Sequence, residues 1–450
     1  MVARIRALGA LNDIARMFGL AAPVVLAELG WMAMGTVDTI MIGPLGPASI
    51  GATGIGSSLY YSLAIFGVGL LLGLDTLVSQ AHGAGDKPDT HHSLAQGVYA
   101  AVAIALPLTI LFLFFAPVFG WLGINPEVSK LGAPFVRTLG VGTLPLLLYA
   151  AFRRYLQGIG HVRPVMFVLV SANLINWLFN WLFIFGHWGL PRLGVVGSAL
   201  STCLARAYMA LALLFFIWWF ERGNEKGILS IVRHPDPQRL LRLLSLGLPA
   251  ATQILMEIGA FGAAAVLAGR LSPVALAAHQ IAINCAAVTY MVPLGASSAA
   301  AVAVGQAIGR GEPAAARRTG YIAVGLGCLF MAGAAAVFLL FPLNILRIFS
   351  ADPGILATGV SLLAIAAAFQ LFDGLQTVLT GALRGAGNTS TAMWINFAGY
   401  WLLGLPLGYF LCFHGGYGLM GLWWGLTVAL ILISLALLGA WRRHWRLALL

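Results

Sequence analysis

Charge is scarce in this 450-residue chain. Asp, Glu, Lys and Arg together make up 9% of it, against about a quarter in a soluble domain whose surface must face water. That shortage excludes the soluble multidomain reading that length alone suggests. Acids are rarest, with 14 Asp and Glu against 25 Lys and Arg and a net charge of +11. Cysteine is limited to Cys203, Cys285, Cys328 and Cys412, all within apolar stretches. No pair has metal-motif or redox spacing, so they read as packing residues. No HExxH, paired-histidine or nucleophile constellation is present, which argues against an integral-membrane enzyme. No filter-like loop supports a passive channel. The first apolar run is long and continues into further spans, so no signal peptide is expected, and no targeting or lipidation motif stands out.

Apolar residues are abundant instead: 60% of the chain, with a mean hydropathy of +0.93. Runs long enough to cross a bilayer fall near 14–40, 50–78, 93–119, 129–152, 164–186, 194–220, 244–268, 274–304, 316–345, 355–382, 391–413 and 418–441. Turn signals such as Gly83-Ala84-Gly85-Asp86, Asn125-Pro126, Asp352-Pro353 and Gly385-Ala386-Gly387-Asn388 separate them. Nineteen Lys and Arg, including Arg153, Arg154, Arg384 and Arg443, fall in the termini and same-side loops, against four on the opposite side. The positive-inside rule then places both termini in the cytoplasm. The basic excess is thereby a topology signal, and no nucleic-acid partner is expected.

The chain also repeats itself. Pro23 recurs as Pro249, Gln80 as Gln306, Gly85 as Gly311 and Asp86 as Glu312, all offset by 226. Gly160 faces Gly387 and Met166 faces Met393 at offset 227, and Gly194 and Gly197 face Gly418 and Gly421 at offset 224. The predicted fold is all-α integral membrane: twelve transmembrane helices in two pseudo-symmetric six-helix bundles around a central cavity. Residues 1–220 form the N-terminal bundle, 221–242 a cytoplasmic linker and 243–450 the C-terminal bundle. Six is even, so the halves are parallel repeats, an arrangement typical of transporters.

An ionisable residue inside a membrane costs about 2.5–3.5 kcal/mol on insertion scales and is a functional candidate by default. Glu28, Asp38, Asp75, Glu257 and Asp373 lie within spans, with Arg137 and Arg206 the basic residues there. Asp75 stands near a span end and is expected to cap or pair locally. Glu257 follows Gln253 by one helical turn. Asp373 belongs to a polar stripe Gln370, Asp373, Thr377, Thr380, and Gln280 and Asn284 form an i, i+4 pair beside His279. These point to a hydrated C-terminal cavity or to interhelical hydrogen bonding. In the other half, Asp38 with Asn173, Asn176 and Asn180 suggests an oxygen-lined cation or proton site, or a structural network.

These features resemble the multidrug and toxic compound extrusion (MATE) family, nearest its NorM-like branch. The residues that carry the resemblance are Gly73-Leu-Asp75 through Gly83-Ala-Gly85-Asp86, Thr36-Val37-Asp38-Thr39, Ala277-Ala278-His279-Gln280, Met291-Val-Pro293-Leu, Gly305-Gln306 through Gly311-Glu312, and Gly385-Ala-Gly387-Asn388-Thr389. The resemblance implies a multidrug efflux antiporter that exports amphipathic organic cations in exchange for H⁺ or Na⁺ by rocking-bundle alternating access. It implies coupling roles for Asp38, Asn176, Asn180, Thr202, Glu257 and Asp373, and substrate contacts at Glu257, Gln280, Asn284 and Asp373. Na⁺ would sit at Asp38, Asn176 and Asn180 or at Glu257 and Asp373. Some branches have an acid where this chain has Asn180, and the NorM-like Na⁺ site has a tyrosine where it has Phe369, so both ions stay open. A monomer in the bacterial inner membrane, with no cofactor beyond the coupling ion, is the expectation. The alternative is a lipid-linked precursor flippase of the same wider superfamily, which would favour more spans and a cationic cavity.

Overall fold

The computed structural model describes residues 2–222 and 234–448, with the side chains of 2–12 and 447–448 outside that description. The Arg4 and Arg6 side chains, Lys226, Arg233 and the middle of the expected linker 221–242 therefore lie outside the described residues.

In chain order the helices are α1 (Val2–Ile42), α2 (Pro47–Leu70), α3 (Gly73–Gly83), α4 (Lys87–Leu113), α5 (Ala116–Trp121), α6 (Pro126–Val141), α7 (Thr143–Gly158), α8 (Val162–Phe185) and α9 (Val195–Glu221). They continue with α10 (Pro237–Gly269), α11 (Pro273–Gly309), α12 (Pro313–Leu340), α13 (Pro342–Arg347), α14 (Pro353–Gly385) and α15 (Thr389–Phe397). A π-helical turn, Ala398–Gly404, then leads into α16 (Leu405–Phe413), and α17 (Gly418–Ala448) follows. Among the described residues eleven helices are long and apolar enough to cross a bilayer, and a twelfth span results if α6 and α7, bent by 45°, count as one. The chain is a multi-pass membrane protein, as its hydropathy predicts.

The turn signals work through caps. The side chains of Asp86, Asn125, Ser272, Asp352 and Asn388 each accept a backbone N–H from the first turn of the following helix, meeting one of its orphan donors. The repeat is visible in the backbone as well. Gly85 and Gly311 have φ of 75° and 72°, and Gly160 and Gly387 have 84° and 77°. Only a residue without Cβ takes up that region freely, so each matched glycine pair closes the same turn twice.

Two compact units result: Met1–Val25 with Thr252–Leu450, and Leu26–Ala251. These limits differ from the expected boundaries at 220 and 243. The division falls inside α1 and α10, two residues beyond the repeat-matched prolines Pro23 and Pro249. A proline interrupts the hydrogen-bond ladder of a helix interior, so each long helix has a weak point where its allegiance changes. The linker end near 242 has no such break, because α10 already begins at Pro237.

The first-half unit holds two buried clusters, one around Leu74, Tyr149 and Tyr155 and one around Tyr60, Phe112 and Phe119. The other unit has, among the described residues, a single core that includes Phe369, Tyr400, Trp423 and Trp441. There α14 packs tightly on α11, because Gly381 and Gly385 leave room for the backbone at Ser297 and Ala301. Small residues allow such close approach between membrane helices, and this contact fixes the face of α14 that carries Asp373.

Candidate functional site

In the unit Leu26–Ala251, α1, α8 and α9 bring Asp38, Asn176, Asn180 and Thr202 together. Asn180 Nδ2 donates to Asp38 Oδ1 at 2.6 Å and to Asn176 Oδ1 at 3.2 Å. Thr202 Oγ1 donates to the other carboxylate oxygen, Asp38 Oδ2, at 3.1 Å. Asn176 and Asn180 are fully buried, Asn176 also hydrogen-bonds the Asp38 side chain, and Asn180 Oδ1 has no hydrogen-bond partner among the described residues. A carboxylate with an unfilled amide oxygen beside it is a donor set suited to a hard cation or a proton. Asn173, the third member of the sequence stripe, instead donates to the carbonyls of Gly30 and Leu169 at 3.0 and 2.9 Å. It ties α8 to α1.

One turn beyond Thr202, Arg206 is buried and its charge reaches Asp38. Its guanidinium donates to Tyr60 Oη at 2.8 Å and Tyr61 Oη at 3.0 Å, and lies 4.9 Å from the Tyr60 ring centre. Gly142, at the α6–α7 bend, admits it: a Cβ there would stand 2.6 Å from Cys203 Sγ and 3.3 Å from Arg206 Nη1. Arg137 is exposed and has no ion-pair partner among the described residues.

Two residues read as cytoplasmic loop markers are misplaced by that reading. Arg153 and Arg154 lie within α7 and are buried, where Arg153 pairs with Glu28 and Arg154 with Asp75 at 3.4 Å. Asp75 therefore pairs across 79 residues of sequence. Arg384, placed in the same loop set, is likewise inside α14 and buried. The sequence counted these arginines by their nearness to loops, and only packing showed carboxylates facing Arg153 and Arg154.

In the other unit, Glu257 on α10 and Asp373 on α14 lie within reach of each other's charge. Glu257 hydrogen-bonds the Gln376 side chain. Gln376 Nε2 donates to Asn396 Oδ1 at 3.0 Å, and Tyr400 Oη donates to Gln376 Oε1 at 3.5 Å. Asn396 donates in turn to the Ala392 carbonyl at 2.8 Å. Asp373 Oδ1 and Thr377 Oγ1 are buried without a hydrogen-bond partner among the described residues. The rest of the Asp373 stripe turns to structural use. Gln370 accepts from Thr289 at 2.5 Å, and Thr380 accepts from Gln253 at 3.5 Å. Gln376, Asn396 and Tyr400 were missed by the sequence reading. The available signal was Asn396 and Tyr400, an i, i+4 polar pair in an otherwise apolar span.

Phe369 offers only a ring: its centre is 6.0 Å from Phe261 and 5.7 Å from Trp423. His279 is buried and accepts from Trp423 Nε1 at 3.1 Å, a satisfied hydrogen-bonder. Gln280 and Asn284 share an exposed face of α11 and have no hydrogen-bond partner among the described residues. Nor do three His, Cys, Asp or Glu side chains gather as a metal-binding group among those residues.

Twice-repeated apolar helices that set carboxylates beside amides define a polytopic membrane transporter. The chain belongs to the MatE family, whose model matches residues 23–182 and 249–410. It is thus a MATE transporter of the NorM-like branch, and MATE transporters are not enzymes. It is 37% identical to the multidrug resistance protein NorM of Burkholderia vietnamiensis, over 94% of this chain and 92% of the relative. It is 35% identical to a probable multidrug resistance protein NorM of Pseudomonas aeruginosa, over 96% and 90% of the two chains. The fold matches the crystal structure of the eukaryotic MATE transporter AtDTX14, with a TM-score of 0.86 at 21% identity over 98% and 99% of the chains. It also matches an outward-facing multidrug resistance MATE transporter of the MOP superfamily, with a TM-score of 0.86 at 19% identity over 96% of each chain.

Proposed function

We propose that this protein is a multidrug efflux antiporter that exports amphipathic organic cations in exchange for H⁺ or Na⁺ by rocking-bundle alternating access. The observation that carries the reading is the pair Glu257 and Asp373, two acids of a membrane-spanning unit within reach of each other's charge. Among the described residues neither forms an ion pair with Lys, Arg or His. Two carboxylates in a low-dielectric site attract a positive charge from outside the chain. A proton, a sodium ion and a cationic drug all meet that need, so each disfavours the others there. Such mutual exclusion is the coupling that antiport requires.

In this cycle an ion or proton from the periplasmic side neutralises Glu257 and Asp373, Asp38, or both sets, and loosens the drug. Loss of the ion toward the cytoplasm restores the carboxylates, and another cation binds. Asn176, Asn180 and Thr202 hold Asp38, and Gln280 and Asn284 are assigned to substrate contact. A membrane potential contributes about 2.3 kcal/mol per charge per 100 mV. The NorM names of the relatives support multidrug transport. The basic residues of the termini and loops support both ends being cytoplasmic, and we take the protein to be a monomer of the bacterial inner membrane.

The test is ethidium efflux from everted vesicles under imposed ΔpH or ΔNa⁺, comparing wild type with Glu257→Gln, Asp373→Asn and Asp38→Asn. Undiminished gradient-driven efflux in all three variants would sink the coupling role. Wild type that moves no cationic dye would revive the flippase reading.

A further inference from the structure

The eleventh span differs from its repeat counterpart by one residue and one turn of backbone. In the first half, α8 is a continuous 24-residue α-helix. The matching span, Thr389–Phe413, has 25 residues and passes through the π turn Ala398–Gly404. The two helices begin at offset 227 and finish at offset 228. One extra residue between fixed ends is absorbed as a π turn, a rare conformation found often at functional sites.

Two consecutive side chains of that turn hold the segment around Glu257. Tyr400, fully buried, directs its hydroxyl to Gln376 Oε1 at 3.5 Å, and Gln376 is the amide that hydrogen-bonds Glu257. Its ring packs 5.9 Å from Phe261, one turn past Glu257. Trp401 donates Nε1–H to the carbonyl of Met256, the residue before Glu257, at 3.0 Å. The same indole covers Gly259, where a Cβ would stand 3.1 Å from Trp401 Cζ2. In an α-helix consecutive side chains diverge by about 100°. A π turn has more residues per turn and narrows that arc, which lets both side chains address α10. The titratable groups facing Tyr400 are Glu257 from α10, Asp373 from α14 and Tyr290 from α11.

We propose that the π turn positions the carboxyl pair, with Tyr400 and Trp401 setting where Glu257 stands against Asp373 and hence the ion concentration at which transport turns over. This rests on the carboxyl pair being the coupling site. Both are positioning residues, acting through Gln376 and through the backbone of α10.

The test measures ethidium efflux against pH and against Na⁺ for wild type, Tyr400→Phe, Trp401→Phe and a deletion of Leu402. The Tyr400→Phe change keeps the ring and removes only the hydroxyl; Trp401→Phe keeps an aromatic ring and removes the donor. Each is expected to move the half-maximal H⁺ or Na⁺ concentration by about threefold to tenfold, the scale of one interhelical hydrogen bond in a membrane. Efflux at saturating ion is expected to stay near wild type, while the KM for ethidium shifts together with the ion half-maximum, because drug and ion share the carboxyl pair. A packing role alone would lower the maximum and leave the half-maximum in place. Leu402 is 60% exposed within the turn, and its removal gives the span the 24 residues of α8. That deletion is expected to lower efflux by on the order of tenfold or more, as a misplaced working group does. Half-maxima equal to wild type in both Phe variants overturn the proposal, whatever the deletion does. If wild type shows no ion-driven efflux, the coupling reading fails and takes the proposal with it. Normal wild-type efflux with unmoved half-maxima removes the proposal alone.

Discussion

The two halves treat buried charge in opposite ways. In Leu26–Ala251, Glu28 has Arg153, Asp75 has Arg154, and Asp38 is hydrogen-bonded by Asn176, Asn180 and Thr202, with Arg206 one helical turn beyond Thr202. In the other unit, Glu257 and Asp373 share an amide-lined site, and no cation of the described residues pairs with either. The scaffold is duplicated but its charge is not. Glu28 and Asp75, each paired with an arginine, have little need of a visiting cation, and that half leaves Asp38 to one. A half that holds two uncompensated carboxylates is left dependent on one.

The contrast can be broken most severely at Arg153. Replacing it with Met leaves Glu28 buried and unpaired, at an expected cost of about 3–5 kcal/mol. Unfolding of the purified variant in detergent should show that loss, and a second change, Glu28→Gln, should recover much of it. In the other half the outcome inverts. Glu257→Gln and Asp373→Asn are expected to unfold no earlier than wild type, while ion-driven efflux falls by about tenfold or more, which corresponds to ~1.4 kcal/mol. Earlier unfolding together with normal efflux would reverse the assignment.

A smaller change sharpens the comparison. Asn180→Asp gives the Asp38 cluster a second carboxylate and makes it resemble its counterpart. Na⁺ should then raise the unfolding temperature of the variant more than that of wild type, because a ligand of the folded state stabilises it. An equal response in both would mean that charge count is not what separates the two sites. The smallest effect lies outside the spans. The backbone N–H of Arg239, and then His92 at 3.1 Å, hold the Asp236 carboxyl below its usual range. A depressed carboxyl stabilises the fold above its unfolded pKa, near ~4, and loses that contribution as pH falls through the lower folded value. Asp236→Asn should therefore be slightly less stable than wild type at pH ~7, and the difference should close below pH ~4.

Much of this was legible from residue order. Hydropathy marks the spans, because every backbone polar group in lipid must be satisfied within a helix or barrel. The matched glycines foretell matched turns, because positive φ is a local demand that few other residues meet. Asp38, Asn176 and Asn180 were legible as a group because helical periodicity puts the two asparagines on one face. Gln376 was not, because the stripe read from Asp373 selects a different face, and only the approach of α10 and the π turn shows what Gln376 meets. Arg153 and Arg154 were misread for the same kind of reason: charge near a loop looks like a topology marker until a carboxylate 79 or 125 residues away is found beside it.

By itself, then, the sequence determined the membrane class, the duplication, the caps and the identity of the membrane-embedded acids. Each of these is a property of short windows or fixed offsets, where periodicity and solvation act locally. The tertiary structure alone decided which acids are compensated, where α1 and α10 change units, and that one added residue becomes a π turn whose Trp401 reaches the Met256 carbonyl. Those outcomes depend on which helix faces meet, and helix packing is set by side-chain shape across distances that residue order does not encode.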